Sequence, residues 1–383
     1  MNARPTSEAE LAEIVRAAAA AGRPLEIRGG GTRGIGHAVD GTPLETGGLT
    51  GITLYEPGSL TLVARAGTPL AEVEAALAAE GQRLPFEPWD ARALTGATGA
   101  PTIGGMVATN SSGPRRVQAG ACRDSLIGVR FVDGSGAVVK NGGRVMKNVT
   151  GLDLAKLLAG SHGTLGVLTE VSFKVLPAPE TVATLVLDGL DAETAGRAMR
   201  AALATPFEVS GAAHVSAAFG DVSATLLRLE GFAGSVAHRA RELGRALAEF
   251  GAARLVEGPG DWASVRDAAV FAGRPGAVWR ISVRPSDGPR LGAALAPAEV
   301  FHDWAGGLLW VCAPEAFDLR AAMGGLPGHA TLIRASAEAK ARWGAFHPET
   351  AAVAALSAGL RAKFDPMGIL NPGRMAARAK VAV

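Results

Sequence analysis

Main chain left bare of side chains is the first chemical resource in this sequence. Arg28 to Gly36 read RGGGTRGIG, and Gly29, Gly31 and Gly34 satisfy G-x-G-x-x-G. Successive glycines reach positive φ and can aim consecutive N–H groups at one point, a nest that holds phosphate oxygens with no helix behind it. A second run from Gly96 to Gly113, GATGAPTIGGMVATNSSG, carries small side chains almost throughout. A planar ring or a pyrophosphate can lie against such backbone while Thr102, Thr109 and Asn110 give directional hydrogen bonds. It is also longer than an unoccupied loop in a compact domain usually runs. A third cluster, GSHGTLGVLTE from Gly160 to Glu170, turns a helix into a strand. The AGSHG around Ser161 is one residue away from the G-x-S-x-G elbow of serine hydrolases. That elbow needs a strand before its serine and a helix after it; the order here is reversed, so a hydrolase is disfavoured.

The elements that must position these segments follow from pattern. Ser7 and Glu10 form a capping box for a helix whose apolar stripe includes Leu11, Ile14 and Val15. The strand PLEIR runs straight into the first glycines. After them come HAVDGTPLETGGLTG, whose proline and clustered glycines no helix survives. A Rossmann fingerprint requires a helix at that point, so the dinucleotide-fold reading fails. LTGITLYEP and SLTLVARAG read as a hairpin around Pro57-Gly58. Thr68 is expected to cap a helix with Pro69 in its first turn and Leu70, Val73 and Leu77 on one face, stopped by Gly81. SLIGVRFVDG and GAVVKNGG flank a turn at Asp133-Gly134, and a helix is expected around Leu152 to Leu158. Pro177 and Pro179 mark a boundary. Beyond it ATLLRLEGF, SVAHRARELGRALAEFG, AVWRISVRP, RLGAALAP and EVFHDWAGGLLWVCAP alternate strand and helix, consistent with a ferredoxin-like α+β domain. From Ala341 the chain reads as helix until FDPMGILNPGRM. No internal repeat is apparent. The expected domains are 1–178, 179–340 and a C-terminal segment 341–383.

Composition limits the partners. The 383 residues are 48% hydrophobic and 19% charged, and 38 basic against 36 acidic side chains give a net charge of +2. Disorder is excluded, and no electrostatic case exists for nucleic acid or an anionic membrane as the main ligand. Cys122 and Cys312 are the only cysteines, too few for an iron–sulfur cluster or a structural zinc. With no apolar core in MNARPTSEAEL and no run of about 20 apolar residues, the expected location is cytoplasmic, with docking on a membrane complex left open.

In order and setting, the three clusters resemble the FAD-binding domain of the vanillyl-alcohol oxidase and para-cresol methylhydroxylase (PCMH-type) family over roughly residues 1 to 178. RGGGTRG is similar to its pyrophosphate loop, APTIGGMVATNSSGPRR to its second flavin-contacting segment, KNVTGLDLAKLLAGSHGTLGVLTEVSFKVLP to its third, and FDPMGILNPGRM to its C-terminal signature. The fold so implied is α+β: a two-subdomain FAD-binding domain followed by the cap, with the tail returning to the flavin. Cofactor contact is implied for Arg28, Gly29, Gly30, Gly31, Thr32 and Arg33. It is implied next for Pro88, Pro101, Thr102, Ile103, Gly104, Gly105, Thr109 and Asn110, then for Gly163, Thr164, Gly166 and Val167, and for Asn371 in the tail. Relatives with covalent flavin carry histidine or cysteine where this chain has Thr32 and Gly99-Ala100, so FAD is expected to bind non-covalently. VMKNVTG, AVWRISVRP, DWAGGLLW and GHATLIR resemble the smaller FAD-binding subunits of bacterial glycolate oxidases.

That likeness implies oxidation of glycolate, a small 2-hydroxy acid, to glyoxylate. Such chemistry needs a cation for the carboxylate, a base for the hydroxyl proton and a flavin to take the electrons. Arg280 and Arg334 are candidates for the cation and His329 for the base. No metal site is expected. The HxGDGNxH motif common among 2-hydroxy-acid-oxidising relatives is missing, His329 standing alone, and Leu152 replaces the tyrosine of a G-Y-D-L segment. These departures point away from catalysis by this chain alone. The resemblance implies a larger flavoprotein subunit and an iron–sulfur subunit as partners, with electrons leaving toward quinone. Two alternatives stand beside it, a stand-alone FAD-dependent 2-hydroxy-acid dehydrogenase and a non-catalytic cofactor-binding subunit.

Overall fold

The computed structural model describes residues 2–143 and 151–376. The VMKNVT part of the resemblance, residues 145–150, lies outside them. The first helix, Glu8–Ala20, starts where Ser7 Oγ accepts from the Glu10 amide, while the Glu10 carboxylate takes the amide of Thr6. Its buried face of Leu11, Ala12, Val15 and Ala18 packs on Leu25 and Leu44 of a short parallel strand pair, Leu25–Arg28 and Thr42–Glu45. The chain then builds an antiparallel five-stranded sheet in the order Ile52–Glu56, Thr61–Arg65, Val167–Lys174, Leu126–Val132, Val138–Gly142. The expected hairpin at Pro57-Gly58 and the turn at Asp133-Gly134 are both present. One expectation needs correcting. Thr68 is no helix cap: its hydroxyl donates to Arg65 O at 2.7 Å and accepts from the Gly51 amide at 3.0 Å, and Pro69 occupies the cap position of Leu70–Ala79. The helix near 152 starts later, at Leu154, with Asp153 as its cap.

The cap contains a second correction. Its eight-stranded sheet runs Arg254–Glu257, Thr181–Asp188, Ala224–Gly231, Gly211–Val215, Glu299–Asp303, Leu308–Ala313, Ala277–Val283, Gly328–Arg334, antiparallel throughout. Read along the chain, 181–257 is strand, helix, strand, strand, helix, strand. The stretch 277–334 repeats that plan, with helices Gly288–Ala294 and Leu319–Ala322. The two halves are one ferredoxin-like unit used twice, joined edge to edge where His214 pairs with His302 and Val215 with Phe301. The expected ferredoxin-like cap is present, its unit occurs twice, and the chain holds an internal repeat that was not apparent in its sequence. It escapes sequence reading because this topology constrains element order and one apolar face per element, not residue identity.

One face of the cap sheet packs on its own helices, and the other closes on the FAD-type domain, where Trp89, Ala91, Leu94 and Ile35 meet Trp304, Trp310 and Phe301. After the helix Ala351–Phe364 the tail returns to the first strand: Leu25 N donates to Ile369 O at 2.8 Å and Asn371 N to Leu25 O at 3.0 Å. Among the described residues no helix is long and apolar enough to cross a membrane.

Candidate functional site

The three small-residue segments meet in one place, and they meet main chain against main chain. A Cβ added to Gly30 would lie 1.6 Å from the Ala100 carbonyl oxygen, and one added to Gly99 would lie 1.8 Å from that of Gly30. Gly29 and Gly104 are equally bound by contact, with Thr102 Oγ1 at 2.7 Å and Ala66 Cβ at 2.6 Å. Only glycine permits such approach. Gly31, at φ +69°, instead faces open space, and Gly163, at φ +72°, lies against the Asn371 amide.

Together these segments line a cavity of about 350 Å³. Among the described residues, the amides of residues 30–36 donate to no other protein group, nor do those of 98–100, Gly163, Leu165 and Gly166. Buried or cleft-lining N–H groups without partners are unusual. Those of residues 30–35, Gly163 and Gly166 belong to residues that line the one cavity and present the donor set that phosphate and flavin-ring oxygens require. On this ground the residues fit a non-covalently held FAD.

Of the expected cofactor residues, Arg28, Gly29, Gly30, Gly31, Thr32 and Arg33 all line the cavity. So do Thr102, Gly104, Gly105 and Thr109, then Gly163, Gly166 and Asn371. The others stand back from it. Pro88 and Val167 are buried, Ile103 belongs to the main core, and the Pro101 carbonyl accepts from the Leu70 amide. Asn110 takes φ +48° and accepts from the Arg123 amide. Thr164 donates to the Ser161 carbonyl at 2.7 Å. These residues shape the loops rather than line the cavity. Sequence reading missed Ser161, His162, Ile35 and Arg374, all of which line it. His162 was visible in AGSHG, but no local signal separated its side chain from the turn around it.

The tail closes the cavity through Asn371. Its Oδ1 accepts from the Ile27 amide and its Nδ2 donates to the His162 carbonyl, each at 2.8 Å. Arg374 pairs with Glu26 at 3.2 Å. His162 is held neutral: burial, then the nearby Arg374 charge, lowers its pKa to about 4, and its ring stands edge-on to Phe346 at 4.8 Å. Arg33 reaches the other way, donating to the Trp89 carbonyl and stacking on that indole at 5.2 Å. Burial lowers its pKa to about 10.

The three catalytic candidates fare differently. Arg334 is not free for a substrate: its guanidinium donates to the carbonyls of Phe271 at 2.9 Å, Arg274 at 2.5 Å and Leu94 at 3.4 Å, so it pins the cap to the FAD-type domain. Arg280 lies in the seam between the domains, over Trp304 at 4.7 Å, and burial lowers its pKa to about 10. His329 sits across the sheet from Ser282, its pKa lowered by partial burial and by Arg280, His347 and Arg116. Neither Arg280 nor His329 lines the glycine-walled cavity.

Comparison with known proteins agrees with this geometry. Residues 2–142 match the family model described as an FAD binding domain. The chain is 36% identical over 373 residues to glycolate oxidase subunit GlcE of Escherichia coli, a match covering 95% of this chain and 96% of that protein. It is 32% identical over 189 residues to glycolate oxidase subunit GlcD of Bacillus subtilis, covering 48% of this chain and 38% of that one. In three dimensions it resembles p-cresol methylhydroxylase with substrate bound, with a TM-score of 0.71 at 14% identity over 98% of this chain and 88% of the other. That last likeness concerns the fold.

Proposed function

Because the chain belongs to the FAD-binding oxidoreductase family that includes glycolate oxidase subunit GlcE, we propose that it is the FAD-carrying subunit of a complex that oxidises glycolate, a 2-hydroxy acid, to glyoxylate. The observation that carries the reading is the convergence of three glycine segments on one cavity closed by Asn371, with unpartnered amides from the first and third of them at its wall. FAD bound there supplies a two-electron acceptor. The protein's own part is to hold and shield it. The amides of residues 30–35 would donate to phosphate oxygens, the carboxamide of Asn371 fixes the third segment, and Arg374, paired with Glu26, stands at the cavity wall. His162, neutral near pH 7, adds no charge to those of Arg28, Arg33 and Arg374. Arg280 is the residue we assign to the substrate carboxylate.

Two cysteines cannot hold an iron–sulfur cluster, so the electrons leave through another chain. We assign the partner-facing surface to the helix Ala351–Phe364, which buries none of its residues and turns Val353, Leu356 and Leu360 outward. The larger flavoprotein and an iron–sulfur subunit are the expected neighbours, which would hold the chain in the cytoplasm or peripherally at the membrane. The test is anaerobic addition of glycolate to the purified chain and to its complex. Bleaching of the flavin band only in the complex is the expected result. Bleaching in the chain alone would assign it the whole reaction, and a colourless chain with no affinity for added FAD would overturn the proposal.

A further inference from the structure

Two guanidinium groups meet one indole at the seam between the domains. Arg116 opens the short helix Arg116–Ala119 directly after the second small-residue segment, and its Cζ lies 4.4 Å from the Trp304 ring centroid. Arg280, from the cap sheet, lies 4.7 Å from the same ring and 5.9 Å from that of Trp310. The platform is rigid. Trp304 is buried, donates from Nε1 to the Gly113 carbonyl at 3.0 Å, and gives its amide to Asp303 Oδ1 at 2.7 Å. Its backbone stands at φ +51° and that of Ala305 at +55°, a left-handed pair without glycine. Strain of this kind is kept where the surroundings fix a side chain's direction.

Three other arginines of the seam are neutralised: Arg83 and Arg115 pair with Glu230, and Arg228 pairs with Glu87, while Arg334 spends its N–H groups on carbonyls. Arg116 and Arg280 have no ion pair among the described residues, and Arg280 Nε is buried without a hydrogen-bond partner. A guanidinium laid on an indole keeps its in-plane N–H groups free for a bidentate anion. Asp303 and Asp124 act on Arg280 and Arg116 without a direct ion pair, so two partly buried guanidinium groups stand close to each other with little compensation, a repulsion that an anion would relieve. On the sheet, Arg280 and Ser282 are two residues apart and share a face, and Ser282 pairs with His329, which brings a polar imidazole to the same side.

We propose that Arg116 and Arg280, backed by Trp304, form one anion site that grips the carboxylate of a small 2-hydroxy or 2-oxo acid across the domain seam. This rests on the 2-hydroxy-acid reading above and adds to it that half the grip comes from the FAD-binding domain. Binding of the acid then ties the cap to the cofactor domain.

The test uses the FAD-loaded complex, wild type beside Arg116→Gln, Arg280→Gln, the double variant and Arg116→Lys. Each is titrated with oxalate, an acid that offers no C–H to oxidise, through its perturbation of the flavin spectrum, and with glycolate in turnover. Each single Gln variant is expected to weaken oxalate binding by about 10- to 100-fold and to raise KM for glycolate, with FAD content unchanged. The double variant should lose far less than the product of the singles, because both hold one carboxylate. Arg116→Lys should recover part of the loss. Oxalate binding by Arg116→Gln equal to wild type would overturn the proposal, as would full additivity. If Arg116→Gln loses FAD, Arg116→Lys decides: wild-type FAD content with intermediate oxalate affinity supports the site, and wild-type affinity removes it. A wild-type complex that binds oxalate through Arg116 yet leaves glycolate untouched would retain the site and sink the functional reading instead.

Discussion

The glycine-walled cavity and the domain seam solve opposite problems with opposite materials. The cavity presents main-chain N–H groups, and its decisive contacts are places where no side chain exists, as at Gly30 against Ala100 and Gly99 against Gly30. The seam adds long charged side chains to the apolar cluster of Trp89, Leu94, Trp304 and Trp310. Arg228 donates to both Glu87 oxygens at 3.0 and 2.9 Å, and Arg115 and Arg83 converge on Glu230 at 2.9 and 2.8 Å. A wall of backbone keeps its donors fixed and needs no titrating group. A seam of ion pairs fixes two domains in one register, and a single missing partner leaves several charges exposed to each other. The contrast predicts that changes in the cavity act on cofactor binding and changes in the ion pairs of the seam act on stability.

Gly30→Ala should give the largest effect. A Cβ at 1.6 Å from a carbonyl oxygen cannot be absorbed by a side-chain rotation, so the first and second segments must part. Loss of two charge-assisted hydrogen bonds to a pyrophosphate corresponds to about 10²- to 10⁴-fold in affinity. The purified variant should lack the flavin band, while without FAD its stability falls only by the ~1–3 kcal/mol of an overpacked contact. A yellow Gly30→Ala protein would break the contrast at its first term.

Glu230→Gln should come next, on stability and not on colour. Removing one carboxylate from a buried network of three arginines costs about 3–5 kcal/mol, read as a lower denaturant midpoint. Burial pushes the Glu230 carboxyl up, but hydrogen bonds from Arg115 and the charges of Arg228, Arg115 and Arg83 outweigh it and hold the pKa far below the ordinary glutamate value of 4.5. A carboxyl depressed by folding contributes stability that is complete above that ordinary value and is lost as pH falls below it. Wild type should therefore weaken steeply below about pH 4.5, and Glu230→Gln should lack that limb. An unchanged acid limb would show the network to be inert.

The same division explains what was legible in the sequence. Gly29 to Gly31, Gly104 and Gly105 announce themselves because what they supply is local: absence of a Cβ is written in the residue type. The hairpin at Pro57-Gly58 and the turn at Asp133-Gly134 are equally local. The seam is not. Glu87 and Arg228 are 141 residues apart, and neither has neighbours that mark it as buried. Arg334 looked like a free cation on a strand because the carbonyls it caps, Leu94, Phe271 and Arg274, come from elsewhere in the chain. The doubled ferredoxin-like cap was hidden for a related reason, since its symmetry lies in strand order and not in shared residues.

Titration sharpens the comparison at smaller scale. In the cavity wall burial lowers His162 to about 4, and in the cap it lowers His214 to about 4 and His302 to about 3. An imidazole whose pKa falls on folding leaves stability complete above its unfolded value near 6.5; below it, the unfolded chain takes a proton that the native state refuses. Each such histidine costs about 1.4 kcal/mol per pH unit below that point, or about 2 kcal/mol by pH 5. His162→Gln should flatten the fall between pH 6.5 and 5 by one proton's worth. An unaltered slope would mean that the His162 ring is open to solvent.

The smallest effect on the chain itself belongs to a region outside both cavity and seam. Val353, Leu356 and Leu360 are 47%, 71% and 40% exposed, and their spacing of three and four places them on one side of the helix Ala351–Phe364. Leu356→Glu removes no buried contact, so the isolated chain should change by no more than about 0.5 kcal/mol in denaturant unfolding and keep its FAD. In the assembled complex a carboxylate would have to be buried where leucine was, and recovery of the larger flavoprotein with the tagged chain should fall sharply. Undiminished recovery would move the partner surface elsewhere. A large loss of stability in the isolated chain would mean that this helix packs on its own domain after all, and the division into a backbone-built cavity, a charge-built seam and an apolar outer face would lose its third member.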